Sequence, residues 1–234
     1  GEWLSVNDAT VTMIDELTVY SITFSKVIAG QGTELEGAEL TVTGTALDGT
    51  TVDETWTSTG TAHTLDLKAG EYTLTEDAAP IGYEIASAIT FRVNLDGTID
   101  IWEGDEEDGE WLSVNDATVT MIDELTKQRV SFSKVEAGQG TELAGASLRV
   151  EGTGYDNSTV DIDWISDGTT HELMLVAGVY TLTEDAAPLG YDIASDITFR
   201  VNLDGTVDVY VDEAWVPADE ATVIMVDELT ERDV

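Results

Sequence analysis

The stretch SITFSKVIAGQGTELEGAEL at residues 21–40 returns as RVSFSKVEAGQGTELAGASL at residues 129–148, so one structural unit must be satisfied twice by a single chain. The register holds through YTLTEDAAPIGYEIASAITFRVNLDGT from Tyr72 and YTLTEDAAPLGYDIASDITFRVNLDGT from Tyr180. It then slips by four residues where the first copy carries the acidic insert GDEEDGE, and recovers at DATVTMIDELT and EATVIMVDELT. A third copy of the ending, GEWLSVNDATVTMIDELT, stands at residues 1–18 and recurs letter for letter at residues 109–126. Self-similarity at this period marks a tandem array. Residues 1–18 therefore read as the terminal strand of a preceding repeat, residues 19–126 as repeat one and residues 127–234 as repeat two.

Within each body, short runs rich in Thr, Val and Ile alternate with turn pairs such as Asp48-Gly49, Ala69-Gly70 and Asp96-Gly97. The expected strands in repeat one are Ser21–Val27, Glu39–Gly44, Val52–Ser58, His63–Leu67, Glu71–Glu76, Ile89–Asn94, Thr98–Trp102 and Ala117–Leu125. Eight short strands in about a hundred residues, with no helical period, predict an all-β unit of the sandwich class. No apolar run approaches the length of a membrane span, and 42% hydrophobic residues suffice for two packed cores.

The sequence carries nine Lys plus Arg against 48 Asp plus Glu, a formal net charge of -39. Such a field repels phosphate backbones and anionic lipid surfaces, which argues against nucleic acid and membranes as partners. With no cysteine, neither a disulfide nor a thiolate metal site is open to the chain.

Side chains alternate across a strand, so residues two apart share a face. In the first strand Ile22, Phe24 and Lys26 share the apolar face, repeated as Val130, Phe132 and Lys134. Tyr72, Leu74 and Glu76 line up in the same way, with Tyr180, Leu182 and Glu184 in the second copy. In the last strand the sets are Val119, Met121 and Asp123, and Val223, Met225 and Asp227. One Lys and two acids per repeat are thus expected in the core. An isolated buried charge is costly enough that the three should meet. Two outcomes are open: a buried ion network that satisfies itself, or a reactive set. Burial favours the neutral amine and the neutral carboxylic acid, so an amine, an electrophilic carboxyl and a second acid to relay protons are what amide formation requires.

The combination of FSKV, ELxGAxL, AGxYTLTEDAAPxGY and a terminal VxMxDEL resembles the Cna-B or SpaA-type pilin and adhesin domain of bacterial surface proteins, over both repeats. The resemblance implies tandem Ig-like (Cna-B type) β-sandwich domains. It also implies an intramolecular isopeptide bond from Lys26 to Asp123, assisted by Glu76, and from Lys134 to Asp227, assisted by Glu184. Asp at the acceptor position implies loss of water. Asp15 has the context of a third acceptor, an orphan whose own Lys is not in the chain. The function implied is a structural stalk of a cell-surface adhesin or pilus-like fibre, extracellular and on the bacterial cell surface. Its partners would be neighbouring repeats of the same chain, with a host ligand bound through another domain. The alternative is a module that itself recognises a host protein or glycan. The chain is expected not to be an enzyme beyond a single-turnover, autocatalytic bond formation.

Other candidates are weaker. His63 and His171 match between repeats but have no second ligand nearby, so they read as strand-edge residues and no metal is expected. Asn94–Thr98 and Asn202–Thr206 fit hairpin turns better than calcium loops. Asp105, Glu106, Glu107 and Asp108 read as a solvated loop. Trp56 and Trp164 read as core residues. Lys68 is Val176 in the second copy, so it is not a shared reactive group. No cofactor motif is present.

Overall fold

The structure is a computed structural model that describes residues 15–105, 108–114 and 116–230. Repeat one contributes nine strands: β1 (Val19–Ile28), β2 (Glu36–Ala46), β3 (Thr51–Thr59), β4 (His63–Lys68), β5 (Gly70–Ala78), β6 (Ile89–Val93), β7 (Ile99–Glu103), β8 (Glu110–Val114) and β9 (Thr118–Asp123). Repeat two contributes β10 (Gln128–Glu136), β11 (Ala144–Gly154), β12 (Thr159–Asp167), β13 (His171–Leu175), β14 (Gly178–Ala186), β15 (Ile197–Val201), β16 (Val207–Val211), β17 (Ala214–Pro217) and β18 (Thr222–Asp227).

Each repeat packs a three-stranded sheet, β4-β1-β9 or β13-β10-β18, on a six-stranded sheet, β3-β2-β5-β6-β7-β8 or β12-β11-β14-β15-β16-β17. All eight strands expected in repeat one form. The structure adds β8, whose Trp111 pairs with Trp102 across the β7–β8 hairpin. The pairings are antiparallel except one in each repeat: the first and last strands run side by side in the same direction. In that pair Phe24 lies opposite Val119, Lys26 opposite Met121 and Ile28 opposite Asp123.

The alternation read from the sequence generates the core. Ile22 and Phe24 from β1 meet Leu40, Val42, Tyr72, Leu74 and Phe91 from the larger sheet, with Val119 and Met121 beside them. Each such side chain, fully buried, contributes about 1.5–3 kcal/mol. The largest, Tyr72, sits opposite Gly44 in register. A Cβ there would come within 2.5 Å of the Tyr72 ring, so the absent side chain makes the space that the ring fills. The Tyr72 hydroxyl is not left bare, because it donates to the Lys68 carbonyl at 2.8 Å. Repeat two builds the same core from Val130, Phe132, Leu148, Val150, Tyr180, Leu182 and Phe199.

Candidate functional site

The three charges on apolar faces meet, in both repeats. Lys26, Glu76 and Asp123 are buried between the two sheets, as are Lys134, Glu184 and Asp227. Lys26 Nζ lies 3.0 Å from Glu76 Oε2 and contacts Asp123 Oδ1. Lys134 Nζ lies 3.0 Å from Glu184 Oε1 and contacts Asp227 Oδ1. The parallel pairing of first and last strands makes the contact possible. It places Asp123 two residues along from the partner of Lys26 and on the same face, within reach of the long lysine stem.

The lysine and the glutamate are each held from outside the cluster. The backbone of Lys26 is clamped on both sides: its N–H donates to Glu34 Oε2 at 3.1 Å, and its carbonyl accepts from Leu35 N–H at 2.7 Å. Glu34 Oε1 also accepts from the Ser25 hydroxyl. Repeat two copies this with Ser133, Lys134 and Glu142. Glu76 Oε2 accepts from Ala86 N–H at 2.6 Å, and Glu184 Oε2 from Ala194 N–H at 2.7 Å. The Ala-Pro-x-Gly-Tyr motif makes this possible: its turn reverses the chain after β5 and brings residue 86 back over the carboxyl. Tyr83 closes that turn, pairs with Leu125 as an isolated bridge, and has its phenol held above the ordinary value by burial and by the Asp123 charge.

The cluster is over-supplied with acceptors. Glu76 Oε1, Asp123 Oδ2, Glu184 Oε1 and Asp227 Oδ2 are buried with no hydrogen-bond partner. For Glu184 Oε1 the lysine is near, but not aligned as a donor. One cation cannot neutralise two buried carboxylates, so the set favours an additional proton. In keeping with this, burial raises the pKa of Asp123 and of Asp227, against the lysine charge and with the help of the neighbouring glutamate. The set thus places an amine against a carboxyl whose proton affinity burial raises, with a second carboxyl touching the amine. That is an arrangement able to lose water.

Asp15 is exposed, and the rest of residues 1–18 lies mostly outside the described residues. His63 stacks on Trp56 with ring centroids 4.5 Å apart, and His171 on Trp164 at 4.4 Å. Both histidines stand on the edge strands β4 and β13. Trp56 and Trp164 are half-buried and tilt against Phe24 and Phe132. Asn94–Thr98 closes the β6–β7 hairpin, with Thr98 N–H bonded to Asp96. Glu106 and Glu107 lie outside the described residues.

Glu34 and Glu142 were not legible as site residues, although an acid eight positions after each buried lysine is a signal both copies carry. A second polar cluster was also missed. Asp100 is buried on the outer face of the larger sheet, bonded to Arg92 Nε at 2.7 Å, Asn94 Nδ2 at 3.1 Å and the Ser113 hydroxyl at 2.5 Å. The Arg92 guanidinium lies 4.6 Å over the Trp111 ring. Asp208, Arg200, Asn202 and Trp215 repeat it, with Pro217 in place of the serine.

The sequence profile of the SpaA prealbumin-like fold domain matches residues 20–107 and again residues 128–215. No curated protein matches the sequence. Among solved structures, the chain is similar to the pilus adhesin SpaC from Lactobacillus rhamnosus GG in its open conformation, at 20% identity and a TM-score of 0.40. That alignment covers 91% of this chain and 32% of the adhesin. It is similar to the Bacillus anthracis TIE protein at 19% identity and a TM-score of 0.49, covering 90% of this chain and 34% of that one. It is also similar to the shaft pilin spaA from Lactobacillus rhamnosus GG at 14% identity and a TM-score of 0.34, covering 93% and 100%. This chain thus spans about a third of the length of the first two. With two profile matches covering most of its length, the chain belongs to the family of SpaA prealbumin-like fold domains and carries two of them in tandem.

Proposed function

We propose that this chain is a segment of an extracellular stalk, in an adhesin or pilus-like fibre of a bacterial surface, in which each repeat closes an intramolecular amide between Lys26 and Asp123 or between Lys134 and Asp227. Its units are residues 19–126 and 127–234, with residues 1–18 completing a preceding repeat. The observation that carries this reading is the pair of buried, under-satisfied Lys-Glu-Asp clusters. A cluster kept only for structure would gain from donors to its free carboxyl oxygens. These oxygens have none.

The step balances as a dehydration. A proton passes from the lysine ammonium to the carboxyl pair, leaving a neutral Nζ against a protonated Asp123. Nζ attacks Cγ, the Nζ–Cγ bond forms, and one Cγ–O bond breaks. Glu76 takes the second amine proton and gives its own to the departing hydroxyl, so that water leaves and Glu76 is restored. The fixed contact between amine and carboxyl replaces chemical activation of the acid. Glu184 acts in the same way on Lys134 and Asp227. The chain is its own substrate and turns over once.

Intact mass under denaturing conditions tests this. Two condensations remove two waters, about 36 Da, from the mass calculated for the sequence. Glu76→Ala should restore one water and leave the repeat-two bond in place. An unmodified mass in the parent chain would sink the proposal.

A further inference from the structure

The two repeats meet end to end at a contact that uses the loop and turn of one and two hairpin tips of the other. Gly30, in the loop after β1, packs against the backbone of Asp156 so closely that a Cβ would collide with its carbonyl oxygen. Asn157, in the same β11–β12 tip, donates from Nδ2 to the Gly30 carbonyl at 3.3 Å. Gly82, in the turn that covers Glu76, packs on Leu203 at the β15–β16 tip, where a Cβ would lie 2.6 Å from its carbonyl oxygen and 2.9 Å from its own Cβ. The connection between the repeats is short and tied down at the same place. Leu125 bridges Tyr83, Thr126 N–H donates to the Gly82 carbonyl at 2.8 Å, and β10 begins at Gln128.

Each half of this contact has a counterpart in the other repeat, with Gly49 standing where Asn157 does on the hairpin-tip half. Gly138 and Gly190 occupy the positions of Gly30 and Gly82 in repeat two, with the same left-handed backbone, and a Cβ at either would meet no atom of the described residues within 4 Å. At the other end, Leu95 occupies the position of Leu203. Leu95 is 67% exposed and Leu203 is 36% exposed. Exposure is not generally different between the repeats: the matched Ile85 and Ile193 are 62% and 61% exposed. Leu47, the neighbour of Leu95 on that end, is likewise exposed. The segment that leads into repeat one, through Leu17 and Thr18 to Val19, has the sequence that leads into repeat two through Leu125 and Thr126.

We propose that the joint is a built interface, and that its two open halves each fit another repeat of this kind carried on the same chain. The end of repeat one around Leu47 and Leu95 accepts the loop and Pro-x-Gly-Tyr turn of a repeat before it. The end of repeat two around Gly138 and Gly190 accepts the hairpin tips of a repeat after it. Successive repeats then stack in one fixed relation. This holds whether or not the amides form, since none of the joint residues belongs to the buried clusters.

The chain lacks cysteine, so single introduced thiols report on the joint directly. With spin labels at Glu54→Cys and Asp163→Cys, both exposed, the distance between repeats should be one narrow population. Gly30→Ala and Gly82→Ala should broaden or shift it. Gly138→Ala and Gly190→Ala carry the same backbone strain and should leave it unchanged. A broad distribution in the parent, or glycine variants in repeat one that match the parent, overturns the built joint. Thiol labelling needs no glycine variant to fold: Leu203→Cys should react several-fold more slowly than Leu95→Cys, and equal rates overturn the joint. For the open halves, residues 19–108 fused ahead of Gly1 create a seamless third repeat. Leu95→Cys should then slow to the rate of Leu203→Cys. An unchanged rate in the extended chain, or slowing with concentration in the unextended chain, overturns the assignment to a repeat of the same chain.

Discussion

Each repeat buries two clusters built on an aspartate and a cation, and they differ in how their charge is satisfied. Around Asp100 every strong group finds a partner: Arg92, Asn94 and Ser113 all donate to its carboxylate, and the guanidinium is capped by Trp111. The Ser113 and Asn94 hydrogen bonds, with Arg92, hold the Asp100 carboxyl below its ordinary range. Around Asp123 there are two carboxyls for one amine, two oxygens without donors, and a carboxyl pushed up by burial. The first cluster is what a protein builds to keep an ion pair. The second, on the function proposed above, is one built to consume it. The difference lies in the partners: Asp100 is given three donors in Arg92, Asn94 and Ser113, whereas Asp123 shares one lysine with a second acid.

The largest expected effect separates them by stability. Lys26→Met rules out the proposed repeat-one bond, which would close a loop between residues 97 apart. By analogy with a disulfide closing such a loop, it should cost about 4–5 kcal/mol in denaturant unfolding of that repeat. Asp100→Ala leaves Arg92 without its acceptor and should cost about 1–3 kcal/mol, with the mass deficit untouched. If the two losses are equal, the distinction between the clusters fails.

The clusters should also respond to acid with opposite sign. In Lys26→Met, Asp123 keeps its desolvation and its glutamate neighbour but loses the lysine, so its folded pKa stays above the unfolded value of about 3.9. The folded state then binds the proton more tightly than the unfolded chain does. Stability is added as pH falls through the folded pKa towards the unfolded one, and the Tm deficit of the variant against the parent should narrow between pH 8 and pH 5. Asp100 behaves in reverse: its contribution is full above the unfolded pKa and is lost as pH falls through its lower folded value. A deficit that widens on acidification would contradict the raised Asp123.

The smallest effect serves as the baseline. Lys68 pairs with Asp48 at 2.7 Å on the surface, and Val176 stands in its place in repeat two, where the fold is the same. Lys68→Ala should leave the melting temperature of repeat one within error of the parent. A clear drop would mean that exposed pairs count for more here than the contrast between buried clusters assumes.

Much of the Asp123 cluster was legible because strand alternation needs only local sequence. Lys26, Glu76 and Asp123 each break an apolar set of period two, and a β-sandwich has one interior for all three. The Asp100 cluster escaped the same reasoning for a physical reason. Asp100 points away from the core, opposite Ile99, and its cover comes from Arg92 and Trp111 on neighbouring strands of the same sheet. Cross-strand cover depends on register, which the alternation of one strand does not contain. β8 was missed likewise: Glu110–Val114 follows an acidic insert that reads as a loop, and pairing with β7 makes it a strand. Glu34 contributes through a loop that returns to β1, a contact that no periodicity encodes.

The parallel pairing of β1 with β9 has a mechanical meaning. Tension on the chain enters repeat one at Val19 and leaves beyond Asp123. Were Lys26 joined to Asp123 as proposed, the pull would pass from strand to strand across one amide and never reach the residues between them. Those residues, 97 positions from end to end, represent about 330 Å of extended chain that the repeat would keep folded under load. A segment so wired transmits a tug almost without lengthening, and its limit is set by the strength of covalent bonds.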